Sequence, residues 1–426
     1  MLKFIAPNFS ILVKLNQFFF SHKAMNLLIF NMSMSSSEMH TMSYVFMGDF
    51  MPFWMTNLSM WLMLLLSFVN LKKKNYLSLI NSTLMTLILS FYSWSIMSFY
   101  ILFEISLMMI VMLMILWSYQ PERTEAVIFM TIMTSIFSLP FMIMIISNYK
   151  NLSFWSTSNW NTSTWVYLST VMTFMVKMPV YFMHMWLPKA HTEAPVQGSM
   201  ILAAVMLKLG TYGLTRMSLM TMTFKKNNNL IIFMSIWLIT SLSMMCLLQT
   251  DLKMLIAYSS VVHMMFTLTS ILINQSISVS SMLIMSISHG VTASLMFYLA
   301  NNMYLKSKSR SLVINKSLMS NNKSFKMLWM IACMMNIPMP PFSGFLSELL
   351  SLKVMIDWSS QSIPALFIML NMTLMFSMFL FTQTTQGKSS NLINTKMNFP
   401  TKMKFTAMLH LMTNLIMIKP SIMVMN

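Results

Sequence analysis

The sequence predicts an all-helical membrane protein that crosses the bilayer many times, with residues 1–426 in a single transmembrane domain. Of the 426 residues, 57% are hydrophobic and only 8% are charged, whereas a soluble domain carries charge on about a quarter of its residues. Many of the apolar stretches approach the roughly 20 residues that cross a bilayer core. Only 7 glycines are present, so β-barrel turns are poorly supplied, and the α-helix remains to satisfy the backbone inside lipid.

Hydropathy with polar breaks predicts about fourteen membrane helices. We expect N-terminal helices in residues 1–94, a first repeat region in 95–249, and a second repeat region with C-terminal helices in 250–426. The expected spans are residues 2–20, 24–37, 50–70, 76–93, 95–118, 125–147, 163–186, 195–217, 229–249, 254–273, 277–304, 327–354, 363–384 and 405–425.

The basic residues predict the orientation of these helices. Most of the 27 lysines and arginines fall in loops that join an odd-numbered helix to the next even one, and the longest of these is the loop at 305–326. The positive-inside rule therefore places those loops in the matrix and both termini in the intermembrane space. The net charge of +18 is spread over short loops, which favours anionic lipid headgroups over nucleic acid as the partner.

The bias toward methionine indicates where the gene resides. Methionine reaches 59 residues, as expected from an A+T-rich organellar genome that reads extra codons as methionine. The N-terminal residues lack the arginine-rich amphipathic pattern of a mitochondrial transit peptide. We expect a mitochondrially encoded, multi-pass protein of the inner membrane.

Four charged residues stand out among those within the predicted spans, where ionisable side chains are costly and usually functional. They are Glu104, Lys177, Lys208 and Glu348, and we expect both lysines near the middle of their helices. The alternative is that the lysines snorkel to an interface and the glutamates sit at helix ends. Desolvation disfavours a charged lysine and a nearby carboxylate favours it, so a Glu104–Lys177 pair is suited to loading and releasing a proton.

Prolines predict two broken helices. Pro179 follows Lys177 by two residues, and Pro338, Pro340 and Pro341 precede Glu348. A proline inside a span frees a carbonyl, which is tolerated where the backbone meets protein or a watery cavity. Two such breaks, each beside a titratable residue, are typical of the inverted repeats of secondary transporters. Bending of the helices for packing is the alternative.

Histidines extend the line of titratable residues. His263 and His289 lie in consecutive predicted helices between Lys208 and Glu348, and an imidazole passes protons through both of its nitrogens near neutral pH. A packing or hydrogen-bonding role is the alternative for either residue.

His184, His191 and Glu193 raise the question of a metal site. They lie in a proline-flanked segment that we expect to be a loop, without zinc-ligand spacing along one helix. We therefore predict no metal and interpret these residues as solvated lining of a matrix-side entry. Cys246 and Cys333 stand alone and indicate neither a disulfide nor an iron–sulfur site.

Several segments resemble a known family. KMPVYFMHMWLPKAHTEAP (177–195), which continues to Lys208, is similar to the signature stretch of the antiporter-like membrane subunits of respiratory complex I, NADH:ubiquinone oxidoreductase. TDLKMLIAYSSVVH (250–263), HGVTASLMFYLAN (289–301) and PPFSGFLSE (340–348) resemble the subunit-four branch rather than the paralogous subunits two and five. The similarity runs from about residue 104 to about residue 355, and the first hundred residues look shortened and divergent.

The resemblance implies a role for each buried group. Glu104 and Lys177 would be an ion pair that modulates the channel, Lys208 the central proton carrier, and Glu348 the terminal group toward the intermembrane space. His263 and His289 would be relay members, and Lys253 matches a family position near the matrix end.

The function that the resemblance implies is proton pumping coupled to NADH oxidation and ubiquinone reduction in other subunits. NADH, FMN, iron–sulfur clusters and ubiquinone would be bound by those subunits, and this chain would hold no cofactor and carry out no redox chemistry. Subunits two and five would be among its partners. A stand-alone cation/proton antiporter and a purely architectural subunit, whose buried charges hold helices together, are the alternatives.

Overall fold

The computed structural model describes residues 40–41, 47–68, 74–148, 163–218, 225–319, 322–387 and 401–416. The regular secondary structure of this part of the chain is helical, apart from isolated bridges and one antiparallel ladder between the two-residue strands β1 (His40–Thr41) and β2 (Met47–Gly48). In chain order the helices are α1 (Phe50–Phe68), α2 (Lys74–Tyr92), α3 (Ile96–Trp117), α4 (Arg123–Ser147), α5 (Thr164–Lys177), α6 (Trp186–Glu193), α7 (Val196–Ile201), α8 (Leu207–Arg216), α9 (Lys225–Leu247), α10 (Leu252–Ile273), α11 (Ser276–Ser307), α12 (Lys323–Asn336), α13 (Ser343–Trp358), α14 (Ile363–Thr385) and α15 (Thr401–Ile416).

Eight helical segments within the described ranges are long and apolar enough to cross a membrane. They confirm the prediction of a helical, multi-pass membrane protein. The predicted spans at 2–20 and 24–37 lie outside the described residues. The described residues form two compact units, the first made of those up to residue 177 and between 193 and 223, and the second of those between 178 and 192 and after 223. The predicted division at residues 94 and 249 remains a prediction.

Local sequence explains where several helices begin and end. The Ser95 hydroxyl accepts a hydrogen bond of 3.1 Å from the backbone N–H of Ser98 and caps α3, and the Asn322 side chain caps α12 in the same way. Such caps satisfy N–H groups that have no partner inside the helix. α5 ends at Lys177 because Pro179 disfavours helical geometry at the residue before it.

Two expectations about local structure were wrong. Lys177 is the last residue of α5 rather than a mid-helix residue, since the proline two positions later ends the helix. The segment around His191 and Glu193 is not a loop, because both residues belong to the two-turn helix α6. Pro188 lies near the start of α6, where a proline is tolerated because the first N–H groups of a helix need no intrahelical partner.

An aromatic cluster forms the core of the first unit. The ring of Phe174 on α5 lies 5.6 Å from the ring of Phe141 on α4 and 6.4 Å from that of Phe99 on α3, measured between centroids. Tyr212 on α8 packs edge-to-face on Phe91 and donates its hydroxyl to the Phe91 carbonyl at 2.8 Å. These contacts hold α8, the helix that carries Lys208, against its neighbours.

The long helix α11 is the centre of the second unit. It packs against α10, α12, α13 and α15, and most of its side chains are buried. Serine and threonine side chains along it return hydrogen bonds to carbonyls of the preceding turn, as Ser286 and Ser294 do. Their polar atoms are thereby satisfied inside a helix that is shielded on nearly every side.

An ion pair anchors the C-terminal end of α8 in the first unit. Nη2 of Arg216 lies 2.6 Å from Oδ2 of Asp49, with both side chains 13% exposed, and Nε of Arg216 donates to the Tyr212 hydroxyl at 3.1 Å. Nothing in the sequence indicated this pair, since the two residues are far apart in the chain.

Asp49→Asn is expected to lower the thermal midpoint of the purified assembly, because the mostly buried Arg216 charge loses its counter-ion. Breaking such a pair costs about 3 kcal/mol. The exposed Asp357 provides the control, and Asp357→Asn should leave the midpoint unchanged. Equal midpoints for the two variants would show that the Asp49–Arg216 pair adds little stability.

Candidate proton-carrying sites

The structure places Glu104 and Lys177 near one another in the first unit. Glu104 lies on α3, and Lys177, at the end of α5, is within range of an electrostatic interaction with its carboxylate. Neither Nζ of Lys177 nor Oε1 of Glu104 makes a hydrogen bond with a described residue. Nζ instead lies over the ring of Phe103, 4.0 Å from its centroid, a cation–π contact that offsets part of the cost of burying the charge. The two groups therefore attract each other without direct contact.

Lys208 is the most deeply buried cation of the described residues. Its side chain is 0% exposed, and Nζ donates to the carbonyl of Ala203 at 2.7 Å. Ala203 lies in a π-helical turn, Leu202–Met206, that separates α7 from α8. A π turn displaces carbonyls from the regular ladder and is frequent at functional sites. The lysine thus satisfies a backbone acceptor inside its own helix, and the expectation that it lies within a span agrees with the helical segment Val196–Arg216.

In the second unit, three predicted residues lie together. Nδ1 of His263 on α10 is 3.2 Å from Oε1 of Glu348 on α13, although the approach lacks hydrogen-bond geometry. The ring of His289 on α11 lies 5.7 Å from the His263 ring between centroids. All three side chains are buried, so three different helices supply titratable groups to one site.

A small cavity joins these groups. About 10 Å³ of it is open to the centre of a water molecule, which is close to the space that one water needs. Its polar lining residues are His263, Ser288, His289, Thr292, Asn336 and Glu348. Because the lining supplies several hydrogen-bonding groups, the cavity is suited to a bridging water.

The break between α12 and α13 positions Glu348 at this cavity. α12 ends at Asn336 and α13 begins at Ser343, so Glu348 lies in the second turn of the new helix. Gly344 allows the start of α13 to lie close to Pro338, since a Cβ atom at position 344 would lie 3.3 Å from Cβ of Pro338. The prolines of the break thus place both Asn336 and Glu348 beside the histidines.

Sequence reasoning missed three lining residues, Ser288, Thr292 and Asn336. Thr292 lies one helical turn after His289, a spacing that places two side chains on the same helix face, and Asn336 is a polar residue just before Pro338 in an apolar run. Both signals were available in the sequence. Ser288 gave none, because serines are frequent along α11.

The secondary candidates lie elsewhere. His184 stacks on Tyr181 and contacts Tyr258, and His191 stacks on Phe297 with ring centroids 4.6 Å apart. Lys253 is a buried residue in the first turn of α10. Within the described ranges, no group of three or more His, Cys, Asp or Glu side chains is arranged to hold a metal ion.

Comparison with known proteins decides the family. A family model described as NADH:quinone oxidoreductase/Mrp antiporter, transmembrane, matches residues 93–377, which is more than half of the chain. The chain belongs to this family. All the residues named above as proton-carrying candidates fall within the matched part.

Relatives within the family are chains 4 of NADH-ubiquinone oxidoreductase. The protein of Ceratitis capitata is 38% identical over 291 residues, which are 67% of this chain and 65% of the relative. That of Myxine glutinosa is 36% identical over 319 residues, 73% of this chain and 69% of the relative. The chain thus matches slightly less than two thirds of the length of the Ceratitis capitata relative. The resemblance to the subunit-four branch is confirmed.

Two solved structures share the fold of this family member. A chain of respiratory complex I from Thermus thermophilus, solved with bound NADH, has a TM-score of 0.86 at 18% identity and covers 96% of this chain and 93% of its own. A chain of the membrane-bound sulfane sulfur reductase, an archaeal respiratory membrane complex, has a TM-score of 0.82 at 16% identity, with coverage of 93% and 70%. The antiporter-like fold extends beyond the residues matched by the family model.

Proposed function

We propose that this chain is a proton-translocating membrane subunit of respiratory complex I. The observation that carries the proposal is the buried His263–His289–Glu348 cluster, in which three helices bring titratable side chains to one cavity of water size. Buried ionisable groups are expensive inside a membrane and mark proton paths. The names of the relatives, chains 4 of NADH-ubiquinone oxidoreductase, support the same function.

Each titratable group has a role in this proposal. Glu104 modulates Lys177 because their attraction changes steeply with distance in a medium of low dielectric constant. Lys208 is the proton carrier of the first unit, since its side chain is fully buried and its ammonium donates to the Ala203 carbonyl. In the second unit, His263 and His289 relay protons, and Glu348 is the terminal acceptor. Lys253, His184 and His191 are secondary members.

The membrane arrangement is part of the proposal. About fourteen helices, including two broken ones in inverted repeats, would cross the mitochondrial inner membrane, and the helix ends at Lys177 and Asn336 support the two breaks. The chain would be mitochondrially encoded and would contact subunits two and five and anionic lipids. NADH, FMN, iron–sulfur clusters and ubiquinone would be bound elsewhere in the complex, and this chain would act in the overall enzyme only by moving protons.

Glu348→Gln tests the proposal. Glutamine keeps the size of the side chain but accepts no proton, so we expect the proton pumping of the reconstituted complex to fall by on the order of a hundredfold. Pumping is measured as the acidification of proteoliposomes during NADH oxidation. Asp357→Asn removes an exposed carboxylate from the same helix and should leave pumping intact.

Three results would separate the proposal from its alternatives. Normal pumping by Glu348→Gln would exclude this residue as a proton carrier and would favour an architectural role. Cation/proton exchange by the isolated chain in proteoliposomes would favour a stand-alone antiporter. An ordered water at the cavity, hydrogen-bonded to the titratable lining groups in a high-resolution map, would support proton transfer. Groups that only hold helices together would instead pair directly.

A further inference from the structure

A second line of buried polar side chains runs through the second unit, between α11 and α15. On α11, Ser294, Tyr298 and Asn302 are each four residues apart. On α15, Thr406, His410 and Asn414 repeat the same spacing, which places each set on one face of its helix. All six side chains are buried, with exposed fractions of 5% or less. We call this set the polar seam.

The polar side chains of α11 contact those of α15 pair by pair, and the order of the pairs shows that the two helices run antiparallel. Oγ of Ser294 lies 3.3 Å from Nδ1 of His410. One turn along, the hydroxyls of Tyr298 and Thr406 are 2.6 Å apart, and the rings of Tyr298 and His410 have centroids 6.4 Å apart. Asn302 continues the line toward the end of α11.

The inner end of the polar seam reaches the edge of the Glu348 cavity. Oδ1 of Asn414 accepts hydrogen bonds from the hydroxyl of Ser343 at 2.7 Å and from its backbone N–H at 3.3 Å. Ser343 immediately precedes Gly344, which lines the cavity together with Glu348 and His289. The polar seam and the cavity are therefore adjacent.

The other end of the polar seam, at Asn302, lies close in sequence to the basic loop at 305–326. α11 ends at Ser307, where the lysine-rich segment at 305–326 begins. From His289 to Asn302, α11 rises about 20 Å at 1.5 Å per residue, a large part of the roughly 30 Å hydrocarbon core. The positive-inside rule assigns this end to the matrix, the side from which protons are taken up.

We propose that the polar seam is a proton inlet from the basic-loop side of the membrane to the Glu348 cavity, with the His410 imidazole as its relay. The proposal deepens the proposed function and rests on it. Hydroxyls of Thr406, Tyr298 and Ser294 accept and donate protons without a net charge. His410 accepts a proton at Nδ1 from the Ser294 side and releases one from Nε2, the Glu348 carboxylate in the adjacent cavity is the final acceptor, and reorientation of the ring restores the starting tautomer. No bond between heavy atoms changes.

His410→Gln is the decisive variant, because glutamine still bonds to Ser294 but has no nitrogen that exchanges protons as imidazole does. In the reconstituted complex we expect normal assembly and a pumping rate lowered on the order of tenfold. Thr413→Val is the matched control. Thr413 is buried on the same helix, and its hydroxyl donates only to the His410 carbonyl, so its loss should leave pumping at the wild-type rate.

A second variant covers the case in which His410→Gln does not assemble. Tyr298→Phe removes the hydroxyl and keeps the ring, and a lowered pumping rate with normal assembly would support the inlet. Pumping at the rate of Thr413→Val by either assembled variant would overturn it and leave the polar seam as interhelical packing. If Glu348→Gln abolishes pumping while His410→Gln does not, only the inlet fails. Normal pumping by all of these variants would refute the proposed function as well.

Discussion

Lys208→Met is expected to abolish proton pumping by the complex while the chain still assembles. Methionine matches the lysine stem in length and is readily accommodated among apolar neighbours, but it holds no proton. Because the Lys208 side chain is 0% exposed and its ammonium meets the Ala203 carbonyl, the substitution also removes a buried charge that is costly to fold. We therefore expect a stable subunit with no proton carrier at this position. Pumping is measured in proteoliposomes, with assembly checked by native electrophoresis.

Lys323→Met is the control for this experiment. Lys323 is exposed at the start of α12, so its replacement removes the same charge from the chain without touching a buried site. Wild-type pumping by Lys208→Met would contradict the proposed role of Lys208. Lys208→Arg sharpens the result, since a guanidinium stays charged throughout and should not restore pumping.

Gly213→Ala is expected to destabilise the first unit strongly. A Cβ atom at position 213 would lie 2.1 Å from Cε1 of Phe174 and 2.6 Å from its Cζ, much closer than any non-bonded carbon contact. The Phe174 ring cannot swing aside because Phe141 and Phe99 pack against it. Overpacking of this kind costs about 1–3 kcal/mol, occasionally more, and we expect a lower thermal midpoint and reduced assembly.

Gly198→Ala is the matched control, because a Cβ atom there would meet its nearest neighbours, Cδ and Cγ of Pro195, at 3.4 Å. Its midpoint should stay close to that of the wild type. Phe174→Leu combined with Gly213→Ala should recover part of the lost stability, since the smaller side chain vacates the space. A double variant no more stable than Gly213→Ala would show that the clash is not the cause.

The site was predictable only as far as local sequence defines it. An ionisable residue in an apolar run is visible in the sequence, so Glu104, Lys177, Lys208 and Glu348 were identified as charges within predicted spans. Whether two such groups meet depends on how distant helices pack. The sequence paired Glu104 with Lys177 as a candidate, but the missing direct contact and the Phe103 ring beneath the ammonium came from the structure.

The sequence alone determined the helical membrane class, the residues whose charge lies in apolar surroundings, and the family, because hydropathy, span length and motif spacing are properties of contiguous residues. Tertiary structure alone decided the convergence of His263 with Glu348, the cavity beside them, the Asp49–Arg216 pair and the polar seam at His410. Each of these joins side chains that are far apart in the chain. Their contacts follow from which helix faces pack together, and helices that are apolar all round carry little amphipathic signal to specify that choice.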